Sequence, residues 1–208
     1  MPDQTAFLTF LAAALLLNVT PGPDMLYVIG RSVGQGRKAG VVSAVGIFVG
    51  CLVHIVAAAV GLAALLASSA AAFDAVRYAG AAYLICLGVR LLALRNGSLE
   101  TEALEPASLR SIFWQGVVTN VLNPKVALFF LAFLPQFVDA RRGSVAFQIL
   151  FLGMVFDVGG TLVNLAVAAA GGRLGDLLRR SPRLARWQRW FTGTVFLGLG
   201  LRLAWSRK

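Results

Sequence analysis

The sequence predicts an all-α integral membrane protein of six transmembrane helices, arranged as an inverted 3+3 repeat in which helices one and four are broken. Three observations predict it. Of the 208 residues, 58% are hydrophobic and only 13% charged, with a mean hydropathy of +0.78; a soluble domain has about 45–50% and about 25%. The apolar excess falls into six runs of 16 to 27 residues, lengths that cross a hydrocarbon core of about 30 Å at about 1.5 Å per residue. Two of these runs are interrupted by proline and charge at matching places, 18–24 and 120–125.

The first span covers 5–29 and carries Asn18-Val19-Thr20-Pro21-Gly22-Pro23-Asp24. Each interior proline removes a backbone donor and clashes with the preceding turn, at about 3 kcal/mol. An ionised Asp24 at membrane depth costs about 2.5–3.5 kcal/mol more. A short basic loop with Arg31, Arg37 and Lys38 leads to span two, 40–66, which contains Gly46, Gly50 and His54. Span three is 73–94, with Arg77 and Arg90 near its ends, where long side chains reach the interface.

The longest polar stretch, 95–111, holds Gly97, three glutamates and Pro106 and reads as a connector between halves. Span four, 112–138, is broken at Asn120-Val121-Leu122-Asn123-Pro124-Lys125 and ends in Pro135-Gln136-Phe137. Span five, 145–171, contains Asp157, Gly159, Gly160 and Asn164. A basic link over 173–189 carries six arginines and serves either as a topology determinant or as a contact for anionic headgroups. Span six, 190–205, is bracketed by Trp187, Trp190 and Trp205, as interfacial aromatics are.

The net charge of +10 belongs to the loops between spans, which excludes a nucleic-acid-binding reading. Loops one–two, three–four and five–six with their helix ends hold twelve Lys/Arg, and the opposite side holds six. That bias places those loops in the cytoplasm and both termini outside. No Lys or Arg precedes the first apolar run, so that run reads as a retained helix and not a secretory signal. Cys51 and Cys86 both lie inside spans and read as small core residues with no disulfide framework. Nothing in the sequence calls for a cofactor.

The two halves can be laid over one another, repeat one at 5–94 and repeat two at 112–206. Asn18-Val19 matches Asn120-Val121, and Pro23-Asp24 matches Pro124-Lys125. Gly50-Cys51-Leu52-Val53-His54 matches Gly160-Thr161-Leu162-Val163-Asn164, and Leu87-Gly88 matches Leu199-Gly200. Three spans per copy force the second copy into the membrane upside down. In such transporters broken helices meet near the midplane and build the substrate site. Irregular backbone at that depth is tolerated only where protein or water covers it.

These residues carry a resemblance. Thr20-Pro21-Gly22-Pro23-Asp24, Gly80-Ala81-Ala82-Tyr83-Leu84 with Leu87-Gly88, and Asn123-Pro124-Lys125 followed by Leu134-Pro135-Gln136-Phe137 resemble the lysine exporter (LysE) family. The branch they resemble most includes threonine and homoserine efflux (RhtB) proteins. The resemblance covers essentially the whole chain. It implies a multi-pass exporter of amino acids or close derivatives in the bacterial inner membrane, driven by the proton-motive force. Many members carry an amide where this chain has Asp24, so substrate identity does not follow.

The candidate substrate-binding or gating residues are Asn18, Thr20, Pro21, Gly22, Pro23, Asp24, Asn120, Asn123, Pro124 and Lys125. Asp24 and Lys125 suit a zwitterion, one meeting its ammonium and the other its carboxylate; a structural ion pair is the plainer alternative. The three asparagines either cap half-helices or bind substrate. Asp157, Asp24 and His54 are the candidate proton-coupling groups; His54, whose repeat counterpart is Asn164, reads first as a hydrogen-bonding packing residue. The Gly46-x-x-x-Gly50 pair permits close helix approach within the chain or in a homodimer. Expected partners are therefore a small zwitterionic or cationic substrate, the lipid bilayer and protons. Three other readings compete: export of another small solute or a metal cation, an intramembrane thiol relay through Cys51 and Cys86, and a purely structural subunit.

Overall fold

A computed structural model describes residues 3–68, scattered positions between 75 and 93, and residues 105–180 and 182–205. Parts of the span-three motif (Gly80, Tyr83, Leu84, Leu87), Arg77, Arg90 and most of the connector lie outside the described residues.

Helix α1 runs Gln4–Val19, opened by the Asp3 side chain accepting from Ala6 N at 2.7 Å. It stops where the sequence says it must. Thr20 leaves the helical region, and the chain restarts at Pro23, where a missing N–H costs nothing and the fixed φ suits a first turn. Helix α2, Pro23–Ser68, is two helices meeting at Gly36, whose φ of 82° is left-handed and favours glycine. The basic loop expected between spans one and two is thus reduced to one residue. Arg31 lies within the helix and is buried.

Helix α3, Leu109–Val121, starts at the cap Ser108. After Leu122 and Asn123 comes the short α4, Pro124–Leu128, then a π-turn over Phe129–Phe133 and a 3-10 turn over Leu134–Phe137. The two arms of this broken element meet at 43°. A second 3-10 turn, Ala140–Arg142, leads to α5, Val145–Arg180, and α6 is Pro182–Trp205. The arginine-rich link is therefore helical on both sides of Ser181, not a separate connection.

Within the described residues, 23–61 of α2 and 145–170 of α5 are long and apolar enough to cross a membrane, and the bent α3–α4 element makes a third if it crosses as one. Many large apolar side chains point outward, among them Leu8, Leu15, Val56, Val60 and Leu162. Lipid is the solvent such a surface needs, since a soluble protein keeps exposed apolar patches small.

Without a hydrophobic force between helices, packing in a bilayer rests on van der Waals contact and small residues. Gly46 and Gly50 serve that purpose inside the chain. A Cβ on Gly46 would stand 2.3 Å from Phe113 O, and one on Gly50 2.6 Å from Val117 O. The pair seats α3 on α2, which decides between the two roles left open by its sequence. Around the breaks an aromatic cluster fills the interior: Phe129 stacks on Phe156 at 4.1 Å, and Phe10 meets Phe137 edge-on at 5.4 Å.

The contacts between halves are reciprocal. Gly160 faces Asn18, and Gly50 faces Asn120. Gly88 faces Gly193 and Leu197, while Gly200 faces Ala81 and Ile85. Each pair maps onto the other under the offsets of the sequence repeat, 110 and 112 between matching glycines.

Candidate functional site

The two interruptions lie against one another. At the end of α1, Thr20 is fully buried, and its hydroxyl donates to Leu16 O at 2.7 Å. Because α1 ends here, no backbone N–H of a following turn takes the Thr20 carbonyl, and it accepts from Lys125 Nζ at 2.7 Å. Lys125 is in the first turn of α4, yet its ammonium sits at the C-terminal end of α1, where the helix dipole favours a cation. Gly22 makes room for it: a Cβ there would lie 3.3 Å from Lys125 Cδ.

The second cross-link runs the other way. Asp24, in the first turn of α2, accepts from Asn120 Nδ2 at 2.8 Å, and Asn120 belongs to the last turn of α3. A carboxylate at a helix N-terminus is favoured by the same dipole. Each half-helix is thus held by a side chain from the other break. Among the described residues the ion pairs are Arg141–Asp139, Arg142–Asp139 and Arg142–Asp3. Asp24 and Lys125 share the cavity without pairing to each other.

The three asparagines divide between roles. Asn123 caps α4, accepting from Lys125 N at 3.0 Å. Asn18 is not a cap; its amide donates across to Phe156 O in α5 at 2.9 Å, an approach that Gly159 and Gly160 leave open. Asn120 holds Asp24. His54 lies just outside the cavity lining. Its Nε2 is 3.1 Å from Asn120 O, and its ring stacks on Phe130 at 6.1 Å. A carbonyl only accepts, so this Nε2 carries a proton and donates.

A small cavity of about 30 Å³, partly open to solvent, is lined by Asn18, Asp24, Asn120 and Lys125 from the breaks and by Asp157, Thr161 and Asn164 from α5. Met25, Ile47, Val126 and Phe156 supply its apolar wall. Several polar atoms here are buried without a protein partner: Asp24 Oδ1, Asn120 Oδ1, Asn123 Nδ2, Asp157 Oδ2 and Thr161 Oγ1. Buried polar atoms are normally satisfied, and four of these five, all but Asn123 Nδ2, belong to residues lining the one cavity, which marks it as a place built for something polar.

Cys51 also lines this cavity, together with Asp157. Its sequence context reads as inert core. The signal that could have placed it was its repeat counterpart, Thr161, which lines the same cavity. Cys51 and Cys86 are both free thiols, one buried and one exposed. Among the described residues no three His, Cys, Asp or Glu side chains cluster as metal ligands would.

Broken apolar helices that cross-brace one another around a charged cavity define a membrane protein of the translocator class, with helical spans. The comparisons agree: the model of the "LysE type translocator" family matches residues 15–207, and the chain belongs to that family. It is a transporter and not an enzyme. Over 201 residues it is 30% identical to a "Leucine efflux protein" of Enterobacter sp. (strain 638), covering 95% of this chain and 94% of that one. It is 32% identical over 205 residues to an uncharacterized membrane protein of Pseudomonas aeruginosa, covering 96% and 95%. A "Leucine efflux protein" of Salmonella typhimurium is 29% identical over 199 residues, covering 94% and 93%. No solved structure matches the chain.

Proposed function

We propose that this chain exports amino acids or close derivatives from the cytoplasm, and that the cavity between the two breaks is the substrate site. The observation that carries this reading is the separation of Asp24 from Lys125. Each is held by neutral groups of the opposite break, Asn120 and the Thr20 carbonyl, so both half-buried charges line the cavity without an ion pair between them. An α-amino acid supplies the missing counterparts, its ammonium to Asp24 and its carboxylate to Lys125. Relatives named as leucine efflux proteins support an amino-acid substrate. The finer placement, in the threonine and homoserine branch, rests on the sequence motifs alone.

The architecture that fits is six spans in two inverted repeats, 5–94 and 112–206, rocking about the breaks in alternating access. The reciprocal glycine contacts support it. The charge bias supports termini outside and a bacterial inner-membrane setting. Protons are the proposed coupling ion, with Asp157 as carrier, because it is a buried carboxyl in the cavity wall and intramembrane acids are found along proton paths.

The test is uptake of labelled amino acids into inverted membrane vesicles under an imposed pH gradient. Asp24→Asn and Lys125→Met each remove one charged hydrogen-bonding partner, worth about 1.5–3 kcal/mol, or about 10- to 150-fold in apparent affinity. Gradient-driven uptake of some amino acid, weakened by both variants, supports the reading. Full transport by both variants, or no uptake of any amino acid, refutes it.

A further inference from the structure

Among the described residues, the hydrogen bonds that join distant segments sort into two sets. In the first, α3 is clasped by both halves of α2. Tyr27 donates to Ile112 O at 2.8 Å, Arg31 to Gln115 at 2.6 Å, and Asn120 to Asp24 at 2.8 Å. Beyond the turn at Gly36, His54 donates to Asn120 O at 3.1 Å, and Gly46 and Gly50 seat α3. In the second set, α1 is held by α5 and by the second arm of the broken element. Asn18 donates to Phe156 O at 2.9 Å and Lys125 to Thr20 O at 2.7 Å. Phe7 lies against Phe151 with ring centres 5.9 Å apart, Phe10 meets Phe129 and Phe137, and Arg142 pairs with Asp3 at 3.8 Å. None of these bonds joins one set to the other.

The sets are not the repeats. Helix α1 belongs to the first repeat and packs on the second, while α3 belongs to the second and packs on the first. The chain passes between sets at Thr20–Gly22 and at Leu122–Asn123, which are the two breaks. A few residues outside regular helix are where hinge motion is absorbed. Elsewhere the sets meet along a seam of apolar and aromatic contacts, largely between α2 and its repeat counterpart α5. A Cβ on Gly153 would lie 3.0 Å from Ile55 Cγ1, and one on Gly40 3.0 Å from the Ala168 Cβ. His54 stacks on Phe130 at 6.1 Å. Packed helices of this kind can slide by small steps.

The cavity lies on this seam. Asp24, Ile47 and Asn120 come from the first set, Asn18, Lys125 and Asp157 from the second. At about 30 Å³ it has room for a water or two, so an amino acid enters only where the walls part. We infer that they part along the seam: the two sets are the rigid units of the transport cycle, each repeat lends its first half-helix to the other, and the breaks are the hinges. The inference rests on the proposed substrate site and names what moves around it. Rocking of one repeat against the other would instead pull α3 from α2 and α1 from α5, breaking every bond of both sets. A zwitterion with its ammonium on Asp24 and its carboxylate on Lys125 touches both units. It therefore binds their closed and open arrangements differently, as a ligand must to shift such an equilibrium.

The test is exchange of labelled amino acids by the full chain in proteoliposomes, with cysteine pairs bridged by a short bis-methanethiosulfonate and released by reductant. Phe7→Cys with Phe151→Cys, and Tyr27→Cys with Gln115→Cys, each tie one repeat to the other inside a unit. Bridging them should leave exchange at its unbridged rate. Ile55→Cys with Gly153→Cys ties the units together, and its bridge should stop exchange until reduction. Asp3→Cys with Arg142→Cys repeats the first join at half-exposed positions, where substitution spares the interior. The parent given the same reagent controls for Cys51 and Cys86, and each pair before bridging is its own control for folding. Exchange stopped by the within-unit bridges and restored by reductant makes the repeats the moving units and overturns the inference; full exchange through the Ile55→Cys and Gly153→Cys bridge overturns it too. Both results leave amino-acid transport standing. Exchange of no amino acid by the parent overturns the proposed site and, with it, the motion inferred around it.

Discussion

Adding one methyl group at Gly50 tests how the two broken elements are held at a fixed distance. A Cβ there stands 2.6 Å from Val117 O and 2.8 Å from Asn120 Cβ. Neither neighbour is the loose end of a flexible side chain, so α3 must move outward by about half an ångström or more to restore ordinary contact. Overpacking of this kind costs about 1–3 kcal/mol, and a chain of this size loses about 2–4 °C of Tm per kcal/mol. Gly50→Ala should therefore melt about 3–10 °C below the parent in detergent and, by shifting Asn120, weaken its bond to Asp24 and with it substrate affinity. Two matched changes give the scale. Gly160→Ala brings its Cβ to 3.0 Å from Oδ1 of Asn18, a side-chain end that can turn, and should cost less. Gly61→Ala meets nothing within 4 Å and should be neutral or mildly stabilising, since alanine is the better helix former by about 1 kcal/mol. Thermal melts of the three side by side decide it. If Gly50→Ala melts with Gly61→Ala, the close seating of α3 on α2 is wrong.

Three further outcomes follow from the same geometry. Arg31 is buried and donates to Gln35 at 2.6 Å, Glu105 O at 2.8 Å and Gln115 at 2.6 Å. Lysine cannot fill that planar fork, so Arg31→Lys should cost about 2–4 kcal/mol and speed amide exchange at Ala107, which donates to Gln35; unchanged exchange there would contradict the clasp. His54→Asn keeps a donor near Asn120 O and loses the Phe130 stack, so it should retain transport with its pH profile while costing under about 1.5 kcal/mol; loss of the pH profile would make His54 the proton carrier in place of Asp157. Thr20→Val removes the second donor to Leu16 O, which keeps the Thr20 N–H, and leaves the carbonyl that holds Lys125, so stability should fall by no more than about 1 kcal/mol with substrate affinity nearly unchanged; a large loss of affinity would mean that the hydroxyl itself meets substrate.

Much of this was legible in the sequence because membrane helices announce both their length and their failures. Pro21, Gly22, Pro23 and Pro124 fixed where α1 and α3 must end, and the structure ends them there. What periodicity and composition could not give was the partner of each charge. Opposite charges at matched breaks suggest an ion pair, but the nearest complement to Lys125 is the Thr20 carbonyl, left open where α1 ends, and the complement to Asp24 is an amide. A backbone carbonyl carries no letter in a sequence. Arg31 was misplaced for a related reason: a cation after an apolar run reads as a loop residue, whereas here two glutamines and a carbonyl solvate it inside a helix that turns only at Gly36. Cys51 and Thr161 were missed because small residues on apolar helices look like packing. Their position in the repeat was the clue, since Asn18 with Asn120, Asp24 with Lys125 and Cys51 with Thr161, matched across the halves, all line a single cavity. In a chain of this kind the repeat is therefore a better guide to the site than the chemistry of any one side chain. Through its match to Thr161, Cys51, which no motif singles out, joins the cavity lining with Asp157.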